Sequence, residues 1–189
     1  MVHLSATPNA PGAAMTPIER TRNTFTTRLG VLDALLKKGL AHWTAQGREA
    51  DALLGLRLAD DMYPLAHQVA FACEQARQLA AFWIGEELAP LDPADWTLAD
   101  AHAAIADAQA RLAGIDVADL APLARTKHRT LQGGMYLELS GEDYLADWMM
   151  PNFHFHLVTA YAILRHHGTV IGKADYMAHL MPFVRAPKR

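Results

Sequence analysis

Ten histidines stand in this sequence, and an imidazole can ligate a metal, move a proton near neutral pH or anchor a buried hydrogen bond. His154 and His156 lie two apart in an apolar run, with Asn152 four residues before His156. On a helix, positions i and i+4 share a face, so Asn152 and His156 would look into one cavity while His154 points away. Three readings stay open for His156. It is a core histidine hydrogen-bonded to a buried amide or carbonyl, a pocket-lining group, or a metal ligand. Gln68 lies beside the apolar positions of an earlier helix, and Tyr161 follows His156 on the same late helix. A polar pocket between the two helices, lined by Gln68, Asn152, His156 and Tyr161, is the expected ligand site.

The other candidates read more plainly. At about 100° per residue, His67 points away from Met62, Leu65 and Val69, toward Glu74 and Gln78, and is expected as a solvated surface histidine. His166-His167 precedes Gly168 at a helix end, where the helix dipole favours a partly positive ring. Cys73 lacks the cationic neighbour or helix N-terminus that activates a thiol, so it reads as a small core residue. The basic cluster Arg125-Thr126-Lys127-His128-Arg129 is short and reads as a solvated loop. Nucleophile elbows, phosphate-cradling glycine loops and Cys-x-x-Cys pairs are absent.

These residues must be positioned by helices. Ile18, Phe25, Leu29, Leu32, Leu36 and Leu40 recur at three, four or seven residues and predict a first helix from Pro17 to about His42. A short helical piece around Glu49–Leu54 precedes a second helix expected from Asp61 as N-cap, with Met62, Leu65, Val69, Ala72, Ala76, Leu79 and Trp83 buried. Thr97-x-x-Asp100 resembles a capping box for a third helix ending at Gly114. Thr130 to Leu137 predicts a β-hairpin around Gly133-Gly134 that must lean on the helices. Helical pattern resumes at Gly141, with a kink or short break expected at Pro151. The last long helix, Asn152 to about His167, is apolar on nearly every side and is expected in the middle of the structure. The fold class is therefore all-α: a four-helix bundle with a hairpin in the helix 3–helix 4 connection. One domain is expected over residues 17–183, with an N-terminal tail at 1–16 and a C-terminal tail at 184–189.

Charge and composition narrow the partners. A formal charge of −3 with 17 basic and 20 acidic residues gives no field that would attract nucleic acid or a membrane surface. No apolar run is long enough for a membrane span. Met1 to Thr16 lacks the basic start and apolar core of a secretory signal, and one cysteine allows no internal disulfide, so a cytoplasmic setting is expected.

Two longer strings carry a resemblance. Leu58-Ala59-Asp60-Asp61-Met62-Tyr63-Pro64-Leu65 with Gln68-Val69 is one. Pro151-Asn152-Phe153 with His156, Thr159 to Arg165, and Gly168 to Lys173 is the other. Together they resemble a bacterial family of unknown function, DUF1993, over about residues 17–176. That family is grouped with the DinB/YfiT-like bundles, many of which hold a divalent metal through three histidines, one on helix 2 and two one turn apart on the last helix. Carried over by resemblance, those positions fall on Gln68, Asn152 and His156. No cofactor is expected, zinc or nickel at His156 being the alternative. The leading function is binding of a small molecule in the polar pocket. The alternatives are a metal-dependent hydrolase or thiol transferase, and a structural homodimer without an active site.

Overall fold

The first helix begins where Thr16 meets Glu19. Thr16 Oγ1 accepts from the Glu19 N–H, the Glu19 carboxylate accepts from the Thr16 N–H at 2.8 Å, and Pro17 takes the first turn. That reciprocal cap and a proline whose missing N–H is not needed fix the start. In the computed structural model, which describes residues 15–185, helix α1 runs Pro17–Thr44. The tails expected at 1–16 and 184–189 lie, apart from residues 15, 16, 184 and 185, outside the described residues.

Helix α2 (Leu65–Ile84) starts later than expected. Asp61 does not cap it: Asp61 is exposed, and Pro64 occupies the N-cap with no side-chain hydrogen bond. A proline pushes the residue before it out of the helical region, so the helix cannot reach back through Tyr63. The Leu65 N–H instead donates to Leu56 O at 2.8 Å, after a short 3₁₀ turn at Asp51–Gly55. Helix α3 (Leu98–Ala113) has the expected capping box between Thr97 and Asp100. Asp51 adds a long-range cap, accepting from the Leu98 N–H at 2.8 Å.

Strands β1 (Thr126–Thr130) and β2 (Tyr136–Ser140) pair antiparallel, Thr126 opposite Ser140 and Thr130 opposite Tyr136. Their connection turns through Gly133 and Gly134 at φ +75° and +79°, a region that favours glycine. From Gly141 the chain is helical without interruption. One turn (Gly141–Asp143) leads into a π-helical stretch (Tyr144–Met149) and then helix α4 (Met150–His166). The break expected at Pro151 is this π stretch, in which the Met150 N–H reaches back five residues to Leu145 O. Pro151 thereby falls in the first α-helical turn, where its lack of an N–H does least harm.

Phe25 of α1 stacks on Phe153 of α4 with ring centroids 4.2 Å apart, and one continuous apolar core joins all four long helices. Helix α4 is less enclosed than its composition suggests. Phe153, Leu157, Ala160, Ile163 and Leu164 are buried, while Phe155 and Val158 are 60% and 47% exposed. α1 and α2 cover its inner faces, and among the described residues Phe155 and Val158 on its outer face are left uncovered. A four-residue helix α5 (Lys173–Tyr176) and a 3₁₀ segment (Ala178–Phe183) return against α1. No helix among the described residues is long and apolar enough to cross a membrane.

Candidate functional site: a cleft between helices α2 and α4

Phe71, Glu74, Gln75 and Gln78 recur at helical spacing and put one face of α2 against Asn152 and His156 of α4. The space between is a cleft of about 300 Å³, at the small end of the range for ligand sites. Leu88, Pro90 and Leu91 of the α2–α3 connection form one wall, and Arg129 of β1 with Trp148 of the π stretch forms the other. Residues on β1 alternate, so Lys127 and Arg129 turn toward the bundle. Two residues along a strand span about 6.6 Å and four along a helix about 6 Å, so this pair matches Tyr144 and Trp148. Lys127 Nζ sits 6.0 Å from the Tyr144 ring centroid, and the Arg129 guanidinium 5.5 Å from that of Trp148.

His156 is held by Gln68. The Gln68 amide Nε2 donates to Tyr63 O at 3.2 Å, so its Oε1 faces the imidazole. That oxygen can only accept, and the ring Nδ1 lies 2.9 Å away, so Nδ1 carries the proton and donates. The lone pair is then on Nε2, which has no protein partner among the described residues. Burial pulls the His156 pKa down to about 4, so the ring is neutral at physiological pH. The cleft therefore contains a fixed hydrogen-bond acceptor of known tautomer.

The remaining polar groups divide by whether the chain already satisfies them. Asn152 Nδ2 donates to Trp148 O at 2.6 Å, within its own helix. The Glu74 carboxylate is paired to Arg77 at 3.2 Å and accepts from Gln78 Nε2 at 2.8 Å. Gln75 is 9% exposed and has no side-chain partner among the described residues.

The structure brings Asn152 and His156 to the cleft and sets Gln68 behind them as the buried partner of His156. Tyr161 is elsewhere, edge-on to Tyr176 at 6.1 Å on the side facing the C-terminal segment. His67 is half-buried rather than solvated. It stacks on Tyr63 at 5.0 Å and meets the edge of Phe71, and burial lowers its pKa. Its helix face is the one expected, with Glu74 and Gln78, but Tyr63 and Phe71 pack against the ring there. His154 Nδ1 lies 3.0 Å from Met150 O, a bond within the helix. Cys73 is buried, which raises its thiol pKa and makes it inert.

Sequence reasoning missed Gln75, Gln78, Arg129 and Trp148. A signal existed: basic residues at i and i+2 of the hairpin match aromatic residues at i and i+4 of the following helix.

The resemblance-derived metal positions do not fit a divalent transition metal. One imidazole stands where three would be needed, its Nδ1 is occupied by Gln68, and the Asn152 amide is turned to Trp148 O. Among the described residues no three His, Cys, Asp or Glu side chains gather as a ligand set.

A family model described as a domain of unknown function, DUF1993, matches residues 19–177. The crystal structure of a DinB family member from Shewanella denitrificans superposes with a TM-score of 0.77 at 33% identity, covering 90% of this chain and 95% of that one. No curated protein matches. The family model spans most of the sequence and the bundle is shared with a DinB family member, so the chain belongs to the DUF1993 family and has the DinB-like fold.

Proposed function

We propose that the α2–α4 cleft binds a small molecule and works without a resident metal. The observation that carries this reading is the state of His156. A neutral imidazole locked by Gln68 offers the cleft an acceptor lone pair at Nε2 that no protein group among the described residues uses. With a pKa near 4 it is a poor base at neutral pH, so recognition suits it better than proton abstraction. Arg129, Gln75 and Trp148 supply further unsatisfied contacts around the same space. The lone, buried cysteine supports a cytoplasmic setting.

The test is a panel of small aromatic acids, amides and amines titrated into the ¹⁵N-labelled protein. Saturable shifts at residues 71, 75, 129, 148, 152 and 156 are expected for at least one class. No saturable shift from any class at millimolar concentration would remove the reading.

The exposed Phe155 and Val158 favour a second reading, in which this face of α4 pairs with another copy of the chain. Sedimentation of the wild type beside a Phe155→Ser, Val158→Ser variant checks it. A dimer lost in the variant supports it, and a monomeric wild type rejects it.

A further inference from the structure

We infer that the ligand of this cleft is a small aromatic monocarboxylate carrying a hydroxyl or N–H donor, an assignment that rests on the binding reading above. The argument is a charge inventory. Two ionised side chains line the cleft, Glu74 and Arg129. Glu74 is already neutralised within the chain: Arg77 lies 3.2 Å from one carboxylate oxygen, and Gln78 Nε2 donates to the other at 2.8 Å. Arg129 has no carboxylate within ion-pair distance among the described residues. Its guanidinium lies over the Trp148 ring, 5.5 Å from the centroid, a contact that leaves the charge without a carboxylate partner. The unanswered charge of the cleft is therefore positive, and a planar guanidinium recognises a carboxylate by paired N–H donors.

Gln75 strengthens the assignment. The residue is 9% exposed, its side chain lines the cleft, and its amide has no protein partner among the described residues. A carboxylate held by Arg129 offers more acceptor sites than one guanidinium uses, and Gln75 can donate to those left over. His156 requires the opposite polarity, because its Nε2 can only accept while the ring is neutral. The ligand thus needs an acceptor at one end and a donor elsewhere. Phe71, Leu88, Leu91 and Trp148 supply apolar surface for the body between. A space of about 300 Å³ accommodates one aromatic ring system with a short acid arm, and is too small for a nucleotide.

Matched probes test each part. Indole-3-acetate and 4-hydroxyphenylacetate carry the acid and the donor, their primary amides carry the same body without charge, and tryptamine and tyramine reverse the charge. Affinities are read by isothermal titration calorimetry and by ¹⁵N shifts in the full chain. The acids are expected to bind at least tenfold more tightly than the amides, with the amines weakest. Arg129→Met should bring acid affinity down to the amide level, and Gln75→Glu should weaken acids at least tenfold and by more than it weakens amides. Arg129 is half-buried against Trp148, so Arg129→Lys, which keeps the charge and loses the planar fork, is the second variant, and it should retain part of the preference for acids. Amides binding as well as acids, or amines binding best, would overturn the carboxylate assignment while the cleft remained a binding site. Silence from all three classes would overturn both.

Discussion

Gln68 and His156 come from helices 88 residues apart and meet across the α2–α4 seam at 2.9 Å, each fixing the other's orientation. Gln68 is 3% exposed, so its Oε1 depends on the imidazole for a protein partner. His156→Ala should therefore leave Gln68 Oε1 unpaired and destabilise the protein by about 1–3 kcal/mol, the cost of a buried orphan. Replacing both partners by leucine should cost less than the sum of the single changes, with a coupling of about 0.5–3 kcal/mol. Urea denaturation of the four proteins measures it, and additive losses would mean the bond contributes nothing.

The same burial predicts a pH dependence. The His156 pKa is drawn down to about 4 in the folded protein from an ordinary 6.5. Between those values the unfolded chain binds the proton and the folded one does not, so stability falls as pH drops from 6.5 toward 4. Above pH 6.5 the contribution is fully present. Burial lowers His67 and His179 in the same direction, so a comparison with His156→Gln isolates the ring. The slope of stability against pH in this window should be shallower in the variant. In the wild type the His156 ring C–H resonances should stay flat above pH 5, and titration near 6.5 would contradict the account.

Much of the fold was legible in the sequence because its signals are local. Thr97 and Asp100 satisfy each other within one turn, Gly133-Gly134 needs positive φ, and the 3.6-residue period of α1 is set by residues close in sequence. The start of α2 misled because two local signals competed, and the backbone restriction from Pro64 overrode the capping preference of Asp61. The site was half legible. Asn152 and His156 share a face by helix geometry alone. Tyr161 lies five residues beyond His156, about 140° around the helix, and so turns to the opposite side. Arg129 and the wall of Leu88, Pro90 and Leu91 depend on where the hairpin and the α2–α3 connection come to rest, which no periodicity encodes.

The competition at α2 has a direct test by contrast with α3. Thr97 Oγ1 accepts from the Asp100 N–H at 3.3 Å, whereas the exposed Asp61 caps nothing. Thr97→Ala should cost about 0.5–2 kcal/mol, and Asp61→Ala should stay within about 0.5 kcal/mol of wild type, as surface changes do. Equal losses in the two variants would restore Asp61 as a cap.

Metal removal separates the cleft reading from a metalloenzyme. Dialysis against EDTA should leave the melting temperature unchanged, since a ligand bound only to the folded state would raise it. Conversely, Gln68→His with Asn152→His supplies three imidazoles with the existing His156, and this double variant should gain a zinc- or nickel-dependent rise in melting temperature. One equivalent of metal in the untagged wild type, lost in His156→Ala, would reverse the proposal.

Gly141 links the hairpin to the helix that carries the cleft, and its backbone approaches too closely for a side chain. A Cβ there would lie 2.5 Å from Pro122 O and 2.6 Å from Leu123 O. Both obstacles are main-chain carbonyls, which cannot rotate aside as a side-chain tip could. Gly141→Ala must therefore push the Ala121–Ala124 turn away from the start of the helical run, at a cost of about 1–3 kcal/mol or more for overpacking. The displacement should reach function as well. Arg129 sits five residues beyond that turn, on the strand joined to Gly141 through β2, so its guanidinium should move off Trp148. The expected outcome is a lower melting temperature with weakened binding of aromatic acids, and amide-probe binding less affected. Gly133→Ala is the control, since φ of +75° strains it but nothing lies within 4 Å of the new methyl. It should cost only about 1 kcal/mol or so of backbone strain and leave acid binding intact. If Gly141→Ala retained both stability and acid affinity, the close packing of hairpin and helix would not be what positions Arg129.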